Sequence, residues 1–307
     1  MKISVILATY NEEKNIKDCL EFVKDLADEI VIVDGTSTDK TVEIASRYTK
    51  KIFVRENPLM FHKNKQYAIE KATGDWILYL DADERVTPEL REEIIRVTKG
   101  QKLGVKDQVN GFWIPRKNII FGKWICHTGW WPDYQLRLFR RGKAFLPCKS
   151  VHEQPQLIGR AGYLKNPLVH YNYQTVFQFV QKLNNLYTEN DKKVFLSKGK
   201  KIKWEDAIRF PSGEFLKRFF FEEGYKDGFH GLVLSIFQAF SSFVTFAKIW
   251  EESGFTEMNS KDFLSKIEKE GKKISREFKY WLLTAKLSQA NSFLKKFYYR
   301  LRRKLVL

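Results

Sequence analysis

Asp81-Ala82-Asp83 follows directly on the apolar run Trp76-Ile77-Leu78-Tyr79-Leu80 and is itself followed by Glu84, so several carboxylates gather where a buried strand should emerge. Two acidic side chains one residue apart can share a hard divalent cation with phosphate oxygens. In an open α/β sheet the carboxyl ends of the strands open into the ligand crevice, where a metal-bound diphosphate would be held. The tripeptide alone is common, and a loop ending in solvated acids reads the same way. Its surroundings favour a site. Glu12 comes just after a first strand pattern, Asp34 ends a second, and Asp81 with Asp83 ends a fourth, so parallel strands bring them to one rim. At Asp34 a carboxylate can accept from a uracil or ribose group, and Gly35-Thr36-Ser37-Thr38-Asp39 behind it is small and polar. Neither Gly-x-Gly-x-x-Gly nor Gly-x-x-x-x-Gly-Lys-Ser/Thr occurs, so a dinucleotide fingerprint and a P-loop are absent.

The elements that must position these residues alternate. Residues 3–7 read as a buried strand, and Ile16, Leu20, Val23 and Leu26 recur at helical spacing. Residues 29–33 form a second strand, Thr38 or Asp39 caps a helix carrying Val42 and Ala45, and residues 51–54 form a third strand. A helix over 63–72 is expected to stop at Gly74 as its C′ residue, and the strand from Trp76 delivers the acids. This is an α/β pattern with a mostly parallel sheet, helices on both faces and right-handed crossovers. Beyond Gly100 the texture becomes aromatic and β-rich, with strands over 111–115, 135–139 and 144–146. Trp124, His127, Trp130 and Trp131 lie near expected loop ends, where they suit either the floor of a sugar site or a plain aromatic core.

From about Phe177 the chain is helical and basic. Residues 231–247 carry no Asp, Glu, Lys or Arg, a stretch short of the roughly 20 residues a membrane span needs. It reads as a helix in a membrane interface or buried against another helix. Near the end Leu283, Leu287, Ala290, Leu294, Phe297 and Leu301 keep helical spacing, while Lys295, Lys296, Arg300, Arg302, Arg303 and Lys304 crowd the last turns. Such a tail suits an anionic headgroup surface; a solvated packing helix, with oligomer contacts, is the alternative. The 307 residues hold 54 Lys and Arg against 37 Asp and Glu, a net charge of +17. That excess points to a polyanionic partner: an anionic membrane surface, phosphorylated substrates or nucleic acid. Cys19, Cys126 and Cys148 form no Cys-x-x-Cys pair, which argues against a disulfide framework and a thiolate zinc site. A reducing, cytosolic setting is expected, and since Met1-Lys2-Ile3 runs straight into a strand pattern no secretory signal is expected.

Three blocks in order, Ile6-Leu7-Ala8-Thr9-Tyr10-Asn11-Glu12, then Ile30-Val31-Ile32-Val33-Asp34 with Gly35 to Thr41, then Ala72-Thr73-Gly74-Asp75 with Trp76 to Glu84, resemble family 2 glycosyltransferases of the GT-A fold. The resemblance covers residues 1–175, with a nucleotide-binding half over 1–100 and an acceptor half over 101–175; residues 176–307 form a helical membrane-associating or oligomerising region. Gly129 to Arg140, Val151-His152-Glu153 and Leu168-Val169-His170-Tyr171 are similar to the branch that adds sugars to lipopolysaccharide core or related bacterial envelope glycans.

The resemblance implies an inverting, metal-dependent transfer from a nucleotide-sugar donor, with UDP as the expected nucleotide, to an amphiphilic glycan or lipid-linked acceptor at the inner face of the cytoplasmic membrane. It implies that Thr9, Tyr10, Asn11, Glu12 and Asp34 hold the nucleoside. It assigns to Asp83 a divalent metal, Mn2+ or Mg2+, on the diphosphate, and Asp81, across Ala82, faces that metal, the ribose or the sugar. Lys65 and Gln66 fall where the branch has a pair near the diphosphate, and a solvated helix face is the alternative. Arg137 and Arg140 lie in a strand expected to reach the same cleft, where a guanidinium fork suits phosphate or serves as plain surface charge. The base that takes the acceptor proton is expected at Glu153, with Asp133 as runner-up and His152 able to tune it. A nucleic-acid-binding module on the basic helices and a catalytically inactive sugar- or nucleotide-binding module are the competing classes; nucleic acid is not the expected partner.

Overall fold

The computed structural model describes residues 1–58, 60–100, 109–149, 153–258 and 261–306, so the expected role of His152 lies outside the described residues. The chain packs as two compact units, residues 1–124 with 131–172 and residues 125–130 with 173–307.

The first unit opens with β1 (Ile3–Thr9), α1 (Ile16–Val23), β2 (Glu29–Asp34), α2 (Thr41–Ala45), β3 (Ile52–Val54), α3 (His62–Lys71) and β4 (Trp76–Leu80). These strands pair in parallel in the order β3-β2-β1-β4. Successive side chains of a strand leave on opposite faces. Val5 and Leu7 of β1 and Leu78 and Leu80 of β4 therefore pack with Ile16, Leu20 and Val23 of α1, while Ile6, Ile77 and Tyr79 meet Ala68 and Ile69 of α3. Burial on both faces explains the unbroken apolar runs.

Gly74 differs from its expected role. α3 ends at an extended Ala72 (φ −69°, ψ 134°), so no left-handed C′ residue is used. Instead Gly74 donates its N–H to Ser4 Oγ at 2.8 Å, and a Cβ there would stand 2.8 Å from the Ser4 backbone nitrogen. Glycine is needed for the close approach of β1 and β4.

Beyond β4 come β5 (Glu84–Val86), α4 (Pro88–Lys99), β6 (Val109–Ile120), β7 (Lys123–Trp124), β8 (Asp133–Arg140), β9 (Ala144–Phe145), β10 (Gln156–Leu157), β11 (Arg160–Tyr163) and β12 (Leu168–Tyr173). The sheet continues β4-β8-β6-β12-β5, with antiparallel pairing of β4 to β8, β8 to β6 and β12 to β5. Because β5 follows β4 after residues 81–83, the strand path returns to the turn it left and rings it. The antiparallel register also corrects the expectation for Arg140, which stands opposite Trp76 at the start of β4 with its guanidinium 4.6 Å from that ring centre. Only Arg137 reaches the acidic end.

The second unit contains α5 (Val176–Lys182), α6 (Thr188–Ser197), α7 (Asp206–Leu216), α8 (Phe229–Glu252), α9 (Phe263–Gln289) and α10 (Phe293–Lys304). α8 packs on α6 and α7. At 24 residues it is longer than the uncharged stretch suggested, because the helix runs on through Lys248 and Trp250; by length and composition it is long and apolar enough to cross a membrane. α10 lies against α9 and has no buried residue, leaving Leu294, Phe297, Leu301 and Leu305 exposed at helical spacing. The aromatic residues of the 124–131 segment divide: Trp124 meets Trp131 edge-on in the first unit, and Trp130 meets Tyr173 in the second.

A Gly74→Ala substitution forces β1 and β4 apart and is expected to destabilise the protein by about 1–3 kcal/mol, the usual cost of overpacking. Urea unfolding followed by circular dichroism measures it, and an unchanged midpoint would show that the strands accommodate a methyl group.

Candidate functional site

The turn after β4 is held by buried charge. Asp81 Oδ1 accepts from Lys65 Nζ at 2.6 Å and Oδ2 from Arg137 Nη2 at 2.5 Å. The same Arg137 nitrogen donates to Glu84 Oε1 at 2.8 Å, and Glu84 Oε2 accepts the Asp81 backbone N–H at 3.0 Å. Glu84 is wholly buried. Arg85 braces the backbone, donating to the carbonyls of Ala82 at 2.7 Å, Glu84 at 3.0 Å and Asn15 at 3.1 Å. Tyr79 lies between the two cations, its ring centre 4.4 Å from the Arg137 guanidinium and 5.0 Å from Lys65 Nζ. Burial alone would push the Asp81 carboxyl up, but Arg137 and then Lys65 outweigh it and hold the group well below the usual carboxylate range. Lys65 is raised in turn, because Asp81 outweighs the burial that opposes its charge. In this structure, then, Lys65 and Arg137 occupy both Asp81 oxygens expected to face metal, ribose or sugar.

The surrounding strands extend the network. Arg116 of β6 reaches Glu84 Oε1 at 3.5 Å and donates to Asp133 Oδ2 from Nε at 2.9 Å and Nη2 at 2.6 Å. Asp133 also accepts from Asn118 Nδ2 at 3.1 Å and Gln135 Nε2 at 2.7 Å. Against the effect of burial, Arg116 and these hydrogen bonds lower its carboxyl. Asn118 Oδ1 lies 2.7 Å from His170 Nδ1, and His170 Nε2 lies 3.4 Å from Asp83 Oδ2. The pairing of His170 with Glu84 across β12 and β5, and the hydrogen bond from Tyr171 N–H to the Asp83 carbonyl at 2.9 Å, fix this proximity through the backbone.

Arg116, Asn118 and His170 gained no role from sequence reasoning. The available signal was alternation: Ile114, Arg116, Asn118 and Ile120 share one face of a strand that reads as ending at Pro115.

The loops after β1 and β2 are joined by side chains. Asp34, fully buried, accepts from Thr9 Oγ1 at 2.9 Å, Ser37 N–H at 2.7 Å and Ser37 Oγ at 2.6 Å. Asn11, at a positive φ of 54°, accepts from the Thr38 N–H at 2.9 Å and donates its own N–H to Ser37 Oγ at 2.8 Å. The Glu12 N–H donates to Thr41 Oγ1 at 2.7 Å, and its carboxylate accepts from Asn15 at 2.9 Å. Tyr10 is exposed beside them. Thr9 to Glu12 and Asp34 thus form one rim, with Asp34 engaged in shaping the loop.

His62, at the start of α3, is buried and stacks on Phe61. Burial and then Lys65 push its imidazole down to about 4, while the carboxylates of Glu153 and Asp81 both act on it in the opposite direction. Glu153 Oε2 accepts the Lys149 N–H at 3.0 Å. Gln66 faces elsewhere, accepting from the Leu146 N–H at 2.8 Å and donating to Glu70 at 2.9 Å. It anchors the chain leading towards Glu153 and takes no part in the carboxylate network.

No three His, Cys, Asp or Glu side chains converge on a cation position among the described residues. The pair Asp83 and His170 nevertheless suits a shared divalent ion. Two ligand atoms about 2.1 Å from one cation at right angles stand about 3 Å apart, close to the 3.4 Å between Asp83 Oδ2 and His170 Nε2. Magnesium-type sites use few protein ligands and complete their shell with water and phosphate oxygens, and a mixed carboxylate and imidazole set also suits Mn2+.

The family "Glycosyl transferase family 2" matches residues 4–150. An uncharacterized glycosyltransferase of Rickettsia bellii is 30% identical over 266 residues, covering 82% of this chain and 87% of its own. The lipopolysaccharide core biosynthesis glycosyltransferase LpsC of Rhizobium meliloti is 28% identical over 258 residues, 82% of this chain and 93% of that protein. Among solved structures S. aureus TarS is 17% identical and superposes with a TM-score of 0.42 over 78% of this chain and 55% of that one. With a relative at this identity covering most of both chains, and a family match that spans the acidic turn, the chain belongs to glycosyltransferase family 2 and is a glycosyl-transferring enzyme.

Proposed function

We propose that this transferase moves a sugar, with inversion, from a nucleoside diphosphate donor, a UDP-sugar, to a lipid-linked or lipopolysaccharide-type glycan of the bacterial envelope. The observation that carries the reading is the Asp83–His170 pair at the carboxyl end of β4, 3.4 Å apart. The rim of Thr9 to Glu12 and Asp34 would take the nucleoside. Asp83 and His170 would hold the divalent cation, which supplies charge compensation to the departing diphosphate. Arg137 and Lys65 keep Asp81 ionised and fixed, so the turn that carries Asp83 stays in position.

Transfer needs a base for the acceptor proton. As the acceptor oxygen bonds to the anomeric carbon, Glu153 takes its proton and the diphosphate leaves from the opposite face. Asp133 fits this role less well: Arg116 keeps its carboxyl acidic, and both oxygens already accept hydrogen bonds. The acceptor class draws support from LpsC, named for lipopolysaccharide core biosynthesis. The exposed stripe of α10, flanked by Lys295, Lys296, Arg300 and Arg302, supports peripheral attachment to an anionic membrane, on the cytoplasmic side where nucleotide sugars are made available.

In a thermal-shift panel of nucleoside diphosphates and their sugars, UDP with Mn2+ should raise the melting temperature by a few degrees, since a ligand at a hundred times its Kd stabilises by about 2.7 kcal/mol. Asp83→Asn should remove the Mn2+-dependent part of that rise, and the absence of a response to every nucleotide would sink the donor reading. Glu153→Gln should leave donor binding intact while lowering kcat by about 10²–10⁴-fold, the usual worth of a general base; near-normal turnover would move the base elsewhere. For the membrane, replacing Lys295, Lys296, Arg300 and Arg302 with Gln should weaken co-flotation with anionic liposomes at least about a hundredfold, given roughly 1 kcal/mol per cation. A protein that ignores liposomes but shifts oligonucleotides in a gel would favour the nucleic-acid reading.

A further inference from the structure

Asn118 is wholly buried in β6, and both ends of its amide are in use. Its Nδ2 faces Asp133 Oδ2 at 3.1 Å. Asp133 is held in place by two Arg116 nitrogens on Oδ2 and by Gln135 on Oδ1, and its lowered carboxyl is an acceptor without a proton to give. The amide can therefore present only its NH2 group to that carboxylate. Its Oδ1 is left facing His170 Nδ1 at 2.7 Å, and an amide oxygen accepts only. The proton of a neutral His170 must then sit on Nδ1. The lone pair falls on Nε2, the nitrogen that looks at Asp83 Oδ2 from 3.4 Å. Two acceptors at that distance repel unless a positive charge lies between them.

We propose that Asn118, oriented by Asp133, is a positioning residue that fixes His170 as the Nδ1–H tautomer and so turns its Nε2 lone pair towards the cation shared with Asp83. The inference rests on the metal-dependent reading above and adds the means by which the imidazole is made ready before the metal arrives. Outer partners of this kind fix ring orientation and tautomer, and their loss commonly costs 10–100-fold in metal affinity. The relay also gives Asp133 a task that depends on its acidity: a protonated Asp133 could donate to Asn118, allow the amide to turn, and leave both His170 tautomers accessible.

The tautomer is read without turnover. Long-range proton–nitrogen correlation spectra of the 15N-labelled, metal-free protein, recorded at an alkaline pH where the spectra themselves show a neutral ring, distinguish the protonated from the bare ring nitrogen. The chain has five histidines, so the His170 signals are identified by their disappearance in His170→Gln. The expected wild-type pattern has the proton on Nδ1 alone. Asn118→Leu should give a mixture or the Nε2–H form and bind Mn2+ about 10–100-fold more weakly, measured from the free-ion signal in electron paramagnetic resonance. Asn118→Asp retains an acceptor facing Nδ1 and should keep the wild-type tautomer. A proton on Nε2, or on both nitrogens, in the wild type overturns the proposal, as does an Asn118→Leu protein with the wild-type pattern and Mn2+ affinity. If Asn118→Leu does not fold, the wild-type and Asn118→Asp spectra decide. Failure of the wild type to bind Mn2+ would instead count against the metal-dependent function, while its tautomer spectrum would still test the relay.

Discussion

One nitrogen of Arg137 bridges two carboxylates, the partly exposed Asp81 and the wholly buried Glu84. Removing one partner of a buried ion pair typically costs about 3–5 kcal/mol, because the other charge is left without compensation. The architecture around the turn is arranged to prevent that. Helix α3 brings Lys65 over Tyr79, and β8 runs antiparallel to β4, so a residue in its interior rather than at its end meets the emerging acids. β6 adds Arg116, which approaches the same Glu84 oxygen at 3.5 Å. A further parallel strand would align its own carboxyl end with that of β4. Reversing direction at β8 instead lets consecutive turns of the chain bring cations to the same place.

These cations divide the labour of the acidic tripeptide. Asp81 and Asp83 are one residue apart, yet they have different neighbours: Lys65 and Arg137 on one, His170 on the other. The first carboxylate is kept ionised by fixed charges and secures the turn. The second stands beside a group that can offer a lone pair, which is what a shared cation requires. Asp133 resembles Asp81 in being surrounded by donors. A carboxylate surrounded by arginine and amide donors makes a good anchor and a weak base.

The alternating strands and helices as far as Leu80 were legible because both faces of the parallel strands are buried and their apolar runs are unbroken. The acidic rim was legible for the same reason, since the ends of such runs mark the carboxyl edge of the sheet. Gly74 was misread because a glycine after a helix looks alike whether it serves a left-handed turn or a tight contact, and the Ser4 backbone that decides between them is distant in sequence. Arg116 and Asn118 were hidden for a different reason. A polar residue in a strand signals solvent or a loop until its partners are known, and here they come from β5, β8 and β12. Arg140 shares a strand with Arg137 but stands three residues further along, and only the antiparallel register shows that this carries it to the opposite end of β4.

The ring of strands has one more consequence for the chemistry. His170 owes its location to backbone pairing between β12 and β5, which the hydrogen-bonded ladder enforces whatever side chain it carries. Its proton, by contrast, is governed by side chains on β6 and β8, through Asn118 and Asp133. Location and protonation are thus set by different strands, and the two meet only because the sheet closes on the turn after β4. In an open sheet the same residues could each be present and the imidazole still offer the wrong nitrogen to Asp83. The curl of the second half of the sheet therefore does more than cover the first. It converts an acidic tripeptide, which any loop can display, into a site where one carboxylate is neutralised internally and its neighbour is paired with a nitrogen of defined character.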